Sequence, residues 1–226
     1  MKIIFAKKNI KSLPLSFFAF LLIAFAFSSC TKDSDNNAVL SQVRITNSAE
    51  ASVPQDFFLS NVKVNPSAVA YAQSTGYIVT NIGNSQGQFK NTGTSTVTAT
   101  LSVTLNPGGY YSVFYLDGGS SLAVTDDRTA PQAGKARVRF INLSSALSSN
   151  VDFALHGGAA LASSVAYKAA STYYDVDAGA TFSLFATGST TALLDIPATT
   201  EAGHIYTVYI SGATNATISA HLITEK

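Results

Sequence analysis

The apolar positions of this chain fall into two patterns. From Phe17 to Phe27 they form an unbroken run of eleven residues, the size of a signal-peptide h-region and well short of the roughly 20 residues that span a bilayer. Further along they alternate. Val138 and Phe140 share one face of a strand, with Arg137 and Arg139 on the other, and Tyr206, Val208 and Ile210 share a face in the same way. In the second half of the chain this period, with the turn residues that interrupt it, predicts strands near 137–142, 151–156, 171–177, 181–186, 192–196, 204–211 and 217–223. Gly157-Gly158, Asp177-Ala178-Gly179, Thr187-Gly188-Ser189 and Glu201-Ala202-Gly203 supply the turns. No helical-period segment separates the strands, so a parallel α/β architecture is excluded. Seven or so strands in about 90 residues, each with one buried face, describe an antiparallel two-sheet sandwich.

The pattern occurs twice. At an offset of 95–96 residues Val43-Arg44-Ile45-Thr46-Asn47 falls on Val138-Arg139-Phe140-Ile141-Asn142, and Asp56-Phe57-Phe58-Leu59 on Asp152-Phe153-Ala154-Leu155. Val69-Ala70-Tyr71 meets Val165-Ala166-Tyr167, Tyr77 meets Tyr173, Phe89 meets Phe185, Thr92-Gly93 meets Thr187-Gly188, and Tyr111-Ser112-Val113-Phe114 meets Tyr206-Thr207-Val208-Tyr209. A repeat this long exceeds the roughly 20–50 residues of solenoid units, so each copy is expected to hold its own core. The expected domains are residues 38–127 and 136–226, joined by a short linker, 128–135, that contains Pro131 and Gly134.

The lone cysteine gives the apolar run its meaning. Lys2, Lys7, Lys8 and Lys11 precede that run, and Ser28-Ser29-Cys30 follows it. Basic start, apolar run and small residues before a cysteine resemble a bacterial lipoprotein signal, although Phe27 and Ser29 replace the leucine and the glycine or alanine that such signals prefer. The resemblance implies that residues 1–29 are cleaved, that Cys30 is acylated, and that residues 30–37 form a tether to the membrane. Thr31-Lys32-Asp33-Ser34-Asp35 resembles the lysine-plus-acidic stretch that directs Bacteroidetes lipoproteins to the outer leaflet of the outer membrane; Lys32, Asp33 and Asp35 would carry that signal and place the protein outside the cell. The same stretch also looks like the start of a calcium loop, but Ala38 stands where a glycine is needed and Arg44 where a bidentate glutamate is needed. Calcium is therefore rejected there.

Cleavage changes the charge balance. Four of the 14 basic residues leave with the signal and all 13 acidic residues stay, so the mature chain carries about three net negative charges. Scattered lysines on a slightly acidic chain offer no footprint for nucleic acid. One cysteine cannot make an internal disulfide, so packed cores must hold the fold.

The stretch Ala136-Arg137-Val138-Arg139-Phe140-Ile141-Asn142-Leu143-Ser144, with the later Val151-Asp152, Ser171-Thr172-Tyr173, Asp177-Ala178-Gly179 and Ile205-Tyr206-Thr207-Val208, resembles the module known as domain of unknown function 4397. The resemblance covers nearly all of 136–226 and, more weakly, 38–127. It implies immunoglobulin-like sandwiches, commonly in tandem on bacterial surface lipoproteins, and brings no catalytic residue with it.

Candidate chemistry is sparse. His156, His204 and His221 lie in different strands or turns without metal-ligand spacing, and no cysteine could complete a zinc site. No Gly-x-Ser-x-Gly elbow occurs. Asp175-x-Asp177 reads as turn chemistry, since its first-copy equivalents are Val79 and Asn81. The duplicated Asp56 and Asp152 are expected to bond nearby backbone amides. No enzymatic role, metal or cofactor is implied. Among ten tyrosines and no tryptophan, Tyr111 and Tyr173 repeat between the copies and read as structural. Tyr110 and Tyr174 align instead with Ile205 and Ile78, and are the candidate ligand contacts.

Two functions compete. One is a non-catalytic surface module with a structural, adhesive or interaction role. The other is a glycan-binding lipoprotein that serves an outer-membrane uptake system. A stripe of exposed aromatic rings would favour the second.

Overall fold

In the first copy the strands are β1 (Ser41–Asn47), β2 (Gln55–Leu59), β3 (Val62–Lys63), β4 (Gln73–Ser74), β5 (Ile78–Thr80), β6 (Gly83–Asn91), β7 (Val97–Leu105), β8 (Tyr110–Leu116) and β9 (Ser120–Asp126). The second copy repeats them as β10 (Lys135–Asn142), β11 (Val151–Leu155), β12 (Ala160–Val165), β13 (Ala169–Ala170), β14 (Tyr174–Asp177), β15 (Phe182–Ala186), β16 (Ala192–Ile196), β17 (Ile205–Ser211) and β18 (Ser219–Thr224). The computed structural model describes residues 40–226. Cys30, the signal peptide 1–29 and the export residues Lys32, Asp33 and Asp35 lie outside them. No helix among the described residues is long and apolar enough to cross a membrane.

Each copy is a pair of sheets. In the first, β4 and β5 both pair with β1, which continues to β8 and β9; the facing sheet has the order β3-β2-β6-β7. The second copy repeats both orders with β13, β14, β10, β17, β18 and with β12-β11-β15-β16. The described residues are thus all-β, built as tandem sandwiches. The pairing is antiparallel except that β1 runs parallel to β8 and β10 to β17. Parallel neighbours need long crossovers, and here the whole facing sheet lies between the two strands in sequence.

Alternation builds the inner faces. Val43, Ile45, Phe57, Phe89, Tyr111 and Val113 meet in the first core. Val138, Phe140, Phe153, Leu184, Tyr206 and Val208 meet in the second. Phe153 is fully buried, with its ring stacked 4.8 Å from Phe140 and 4.9 Å from Phe182. Tyr111 accepts a hydrogen bond from the Asn106 amide (2.8 Å) and Tyr206 one from the Glu201 amide (3.1 Å). Each tyrosine thereby pins the loop five residues upstream of it, in the manner of a tyrosine corner.

Three expectations need correction. The first concerns the strand count. The strands Ala160–Val165 and Ala169–Ala170 were not expected, because alanine and serine carry little strand preference and both segments form only edges. The second concerns register. Phe89 lies opposite Phe57, whereas Leu184 lies opposite Phe153. Leu184, not Phe185, is therefore the counterpart of Phe89. A shift of one residue turns a side chain to the opposite face, and Phe185 is only half-buried.

The third correction concerns the faces. Arg139 does not point to water; it is 1% exposed. The strands β8 and β17 are buried along almost their whole length on both sides. Their outer faces pack together: Phe114, Leu116, Ile141, Leu143, Tyr209 and Ile223 form a third apolar cluster, in which the rings of Phe114 and Tyr209 lie 5.7 Å apart. The first two residues come from the first copy and the other four from the second. The order of layers is outer sheet, inner sheet, inner sheet, outer sheet.

Candidate functional site

Polar side chains complete the seam between the two inner sheets, and they come in matched pairs. In the first copy Tyr77 and Ser112 both donate to Asp126 Oδ2 at 2.7 Å. In the second, Tyr173 donates to Glu225 at 3.1 Å and Thr207 donates to the same carboxylate. Arg44 lies over the Tyr77 ring at 4.2 Å, and Arg139 over the Tyr173 ring at 4.9 Å. Each arginine crosses the seam: Arg44 Nη2 donates to the Thr224 carbonyl (3.2 Å), and Arg139 Nη1 to the Thr125 carbonyl (2.9 Å). These reciprocal contacts follow an approximate twofold relation.

The reciprocity stops at the carboxylates. Arg139 donates through Nη2 to Asp126 of the opposite copy, and the same nitrogen lies 3.4 Å from Glu225 of its own copy. Its Nε donates to Thr207 Oγ1 at 2.7 Å. Arg44 has neither carboxylate, and its Nε and Nη1, both buried, have no hydrogen-bond partner among the described residues. Burial works against the charge on Arg139, yet Asp126, Tyr173 and Glu225 together hold its pKa above the usual arginine value. Burial raises the pKa of Glu225, against the pull of Arg139. Burial also pushes the Tyr77 and Tyr173 hydroxyls up, and nearby carboxylates add to the shift. Both tyrosines stay neutral donors.

The expected linker is tied into this seam. Arg128 lies 4.6 Å over the Tyr110 ring and 5.2 Å over Tyr77, while Arg137 forms an ion pair with Asp127 at 2.6 Å. The Gln132 amide donates to Asp175 at 3.0 Å.

On the first copy an open groove of about 600 Å³ runs between the edges of its two sheets, lined in part by Leu40, Val62, Val79, Ile82 and Asn84. Eight large hydrophobic side chains are exposed among the described residues, and four of them, Leu40, Val62, Val79 and Ile82, line this groove. Clustering of that kind marks contact surfaces on soluble domains. Two strand edges flank it. Among the described residues β3 ends one sheet, and β5 has β1 as its one strand partner. A two-residue turn at Ser60 and Asn61, with φ of 47° and 68°, folds β3 back on β2. The second copy differs here. Val138 pairs with Tyr174 as Val43 pairs with Ile78, so Asp175 and Asp177 occupy the edge positions of Val79 and Asn81. Asp177 pairs with Lys135 at 2.6 Å. Charge blunts that edge, whereas the first copy leaves it apolar.

The other candidates occupy structural settings. Tyr110 accepts from Gln42 Nε2 (2.9 Å) and meets Tyr77 edge-on at 5.1 Å. Tyr174 is half-buried against the second core. The two tyrosines belong to different sheets, Tyr110 to that of β8 and Tyr174 to that of β14. Among the described residues Tyr167 is the one exposed aromatic ring, so no aromatic stripe exists there. Asp152 accepts the Ser164 amide (2.7 Å) and the Thr187 hydroxyl (2.9 Å), which hold its pKa below the usual carboxylate value. Asp56 accepts from Thr92 (3.3 Å) and pairs with Lys63 (2.8 Å).

A serine, a histidine and an aspartate do come together. His156 Nδ1 lies 3.0 Å from Ser183 Oγ, and that hydroxyl donates to Asp195 at 2.7 Å. In a nucleophilic triad the histidine stands between serine and carboxylate. Here a single histidine nitrogen, Nδ1, faces both the Ser183 hydroxyl and, at 3.4 Å, Asp195, and the serine is 2% exposed. His204 caps a backbone carbonyl at Lys226, 2.8 Å away. His221 contacts Ser211 and Ser219, and burial lowers its pKa. No group of three metal-binding side chains occurs among the described residues.

Sequence reasoning missed both the seam and the groove. The signal for the seam lies in β8 and β17, Tyr-Tyr-Ser-Val-Phe-Tyr-Leu and Ile-Tyr-Thr-Val-Tyr-Ile-Ser. Such nearly continuous apolar runs mark strands buried on both faces.

Four stacked sheets, duplicated strand for strand, define a tandem β-sandwich protein whose copies are fused through their inner sheets. The family model "Domain of unknown function (DUF4397)" matches residues 41–154 and 145–226. The chain belongs to that family. No curated protein matches it. Among solved structures it is similar to the family 26 carbohydrate-binding module CBMbc of Eubacterium rectale Amy13K in complex with maltoheptaose. That similarity has 12% identity over 80% of this chain and 96% of that chain, at a TM-score of 0.27. It is also similar to family 41 carbohydrate-binding modules from streptococcal virulence factors that recognise alpha-glucan. There the identity is 13% over 79% of this chain and 100% of that chain, at a TM-score of 0.26. Likeness at this level bears neither on topology nor on ligand.

Proposed function

We propose that this protein is a non-catalytic surface lipoprotein, anchored to the outer membrane through acylated Cys30, and that its paired sandwiches form an interaction module for an extended peptide segment of a partner protein. One observation carries the choice of ligand: four exposed aliphatic side chains line a groove between two free strand edges of the first copy. An extended peptide would add to the β5 edge through its backbone and set alternate apolar side chains against Val62, Val79 and Ile82. Glycan recognition uses ring stacking, and among the described residues this groove has no aromatic side chain in its lining.

An array that carries both extended apolar peptides and glycans tests the reading. Peptides should bind, and Val79→Glu should abolish binding by placing a charge on the apolar floor. Glycan binding that Val79→Glu leaves intact would overturn it. The anchor is tested separately. Cys30→Ala should release the protein from the membrane fraction or leave an uncleaved precursor, and normal processing with membrane retention would sink the lipoprotein reading. Replacement of Lys32, Asp33 and Asp35 by alanine should keep the anchor and reduce protease access on intact cells.

A further inference from the structure

A second cavity lies on the seam itself. It measures about 310 Å³, within the lower range of small-ligand sites, and its lining includes Arg44, Ser74, Thr75, Tyr209 and His221. Arg44 and Ser74 belong to the first copy, Tyr209 and His221 to the second. Three buried polar atoms with no hydrogen-bond partner among the described residues belong to two of these residues: Nε and Nη1 of Arg44 and the hydroxyl of Tyr209. Native interiors leave few such atoms, and a cluster of them points to a missing partner. Arg44 is 4% exposed and Tyr209 1%. Burial pushes the Tyr209 hydroxyl up, so it remains a donor.

The lining has donors but no carboxylate. Arginine offers only N–H groups, and the tyrosine hydroxyl donates as well. The missing partner is therefore an acceptor, and beside a buried guanidinium it should carry negative charge. The twofold relation says which kind. Arg139, the counterpart of Arg44, is closed by the carboxylate of Asp126 from the opposite copy. The residue that would serve Arg44 in the same way is Glu225, but its oxygens are taken by Thr207, Tyr173 and Arg139. We propose that the seam cavity binds a small oxyanion, an inorganic one or the carboxylate of a small organic acid, which takes on Arg44 the place that Asp126 takes on Arg139.

The test is titration of the full chain, purified in detergent, with sulfate, inorganic phosphate, acetate and D-glucuronate. Ionic strength is held constant with chloride, and binding is read by calorimetry and thermal unfolding. At least one of the four should bind saturably and raise the unfolding temperature. Sulfate or phosphate binding alone would identify an inorganic ligand, and acetate or glucuronate binding a carboxylate; either supports the site. Arg44→Met should weaken binding at least about 10-fold, since a hydrogen bond to a charged group is lost. Tyr209→Phe keeps the ring against Phe114 and should weaken binding about 2- to 10-fold, which covers the case in which Arg44→Met does not fold. Lys168→Met, distant in sequence from every named donor, should leave binding unchanged. The absence of saturable binding by all four anions would overturn the proposal. So would binding that survives both Arg44→Met and Tyr209→Phe.

Discussion

Arg139→Met removes the charge that neutralises the seam while it keeps most of the side-chain volume. In the parent protein the Asp126 side chain is fully buried and Arg139 is 2% exposed as a side chain. After the change Asp126 keeps its hydrogen bonds from Tyr77 and Ser112, both on Oδ2, but its Oδ1 loses the guanidinium. Removal of one partner from a buried pair costs about 3–5 kcal/mol, because the remaining charge stays desolvated. Glu225 also loses the guanidinium, and its pKa, already raised by burial, moves further up. Asp126 carries the cost. For a folded unit of this size each kcal/mol moves the midpoint about 2–4 °C, so the expected loss is about 6–20 °C. Neutralising both partners in Arg139→Met/Asp126→Asn should recover at least about 1 kcal/mol relative to Arg139→Met alone, a non-additivity of the size that contacting residues show. Urea unfolding followed by circular dichroism and tyrosine fluorescence measures all three variants. A loss below about 1 kcal/mol for Arg139→Met, or strictly additive costs in the double variant, would refute the reasoning.

Three further outcomes follow from the packing and the seam. Phe153→Ala, which removes a fully buried ring stacked between two others, should cost about 3–5 kcal/mol in urea unfolding; a cost near zero would mean that the second core does not depend on it. Gly87→Ala should cost about 1–3 kcal/mol, because its new Cβ would lie 2.7 Å from Leu101 and 2.9 Å from Phe57, with unfolding by heat or urea as the readout. Glu225 has a folded pKa above its unfolded value, so its contribution is fully present below the unfolded value and is lost as pH rises through the folded one. The parent should lose stability across that window relative to Glu225→Gln, and parallel pH profiles of the two would exclude the assignment.

Much of the fold was legible in the sequence because the relevant signals are local. Val138 and Phe140, Tyr206 and Val208 alternate, and a strand has no choice about where successive side chains point. Gly157, Gly179, Gly188 and Gly203 all take positive φ in the turns between strands, and glycine is read for that property directly. The offset between the copies brought Arg44 onto Arg139 and Tyr77 onto Tyr173, so the members of the seam were visible as repeated residues. The edge strand Ala160–Val165 was not legible, since its small residues carry no period that differs from loop.

What covers a strand's second face is a property of the assembled layers, and the seam was decided there. Arg137 and Arg139 look alike in sequence, each on the polar side of one strand. Arg137 sits at the rim beside Asp127, while Arg139 lies between two sheets against Asp126 and Glu225. Local alternation separates the two faces of β10 but holds no information about the sheet of the other copy that packs on the second. The same holds for Arg44. The repeat offset sets it on Arg139, and only the fused inner sheets bury it beside Tyr209, with two nitrogens unpartnered among the described residues. The groove between β3 and β5 follows the same rule, because its two edges belong to different sheets and meet only when the sandwich closes. Sequence determined most of the strands, most of their inner faces and the duplication, because these depend on neighbours along the chain. Tertiary packing decided the seam, the unpaired arginine and the groove, because these depend on which surfaces exclude water together.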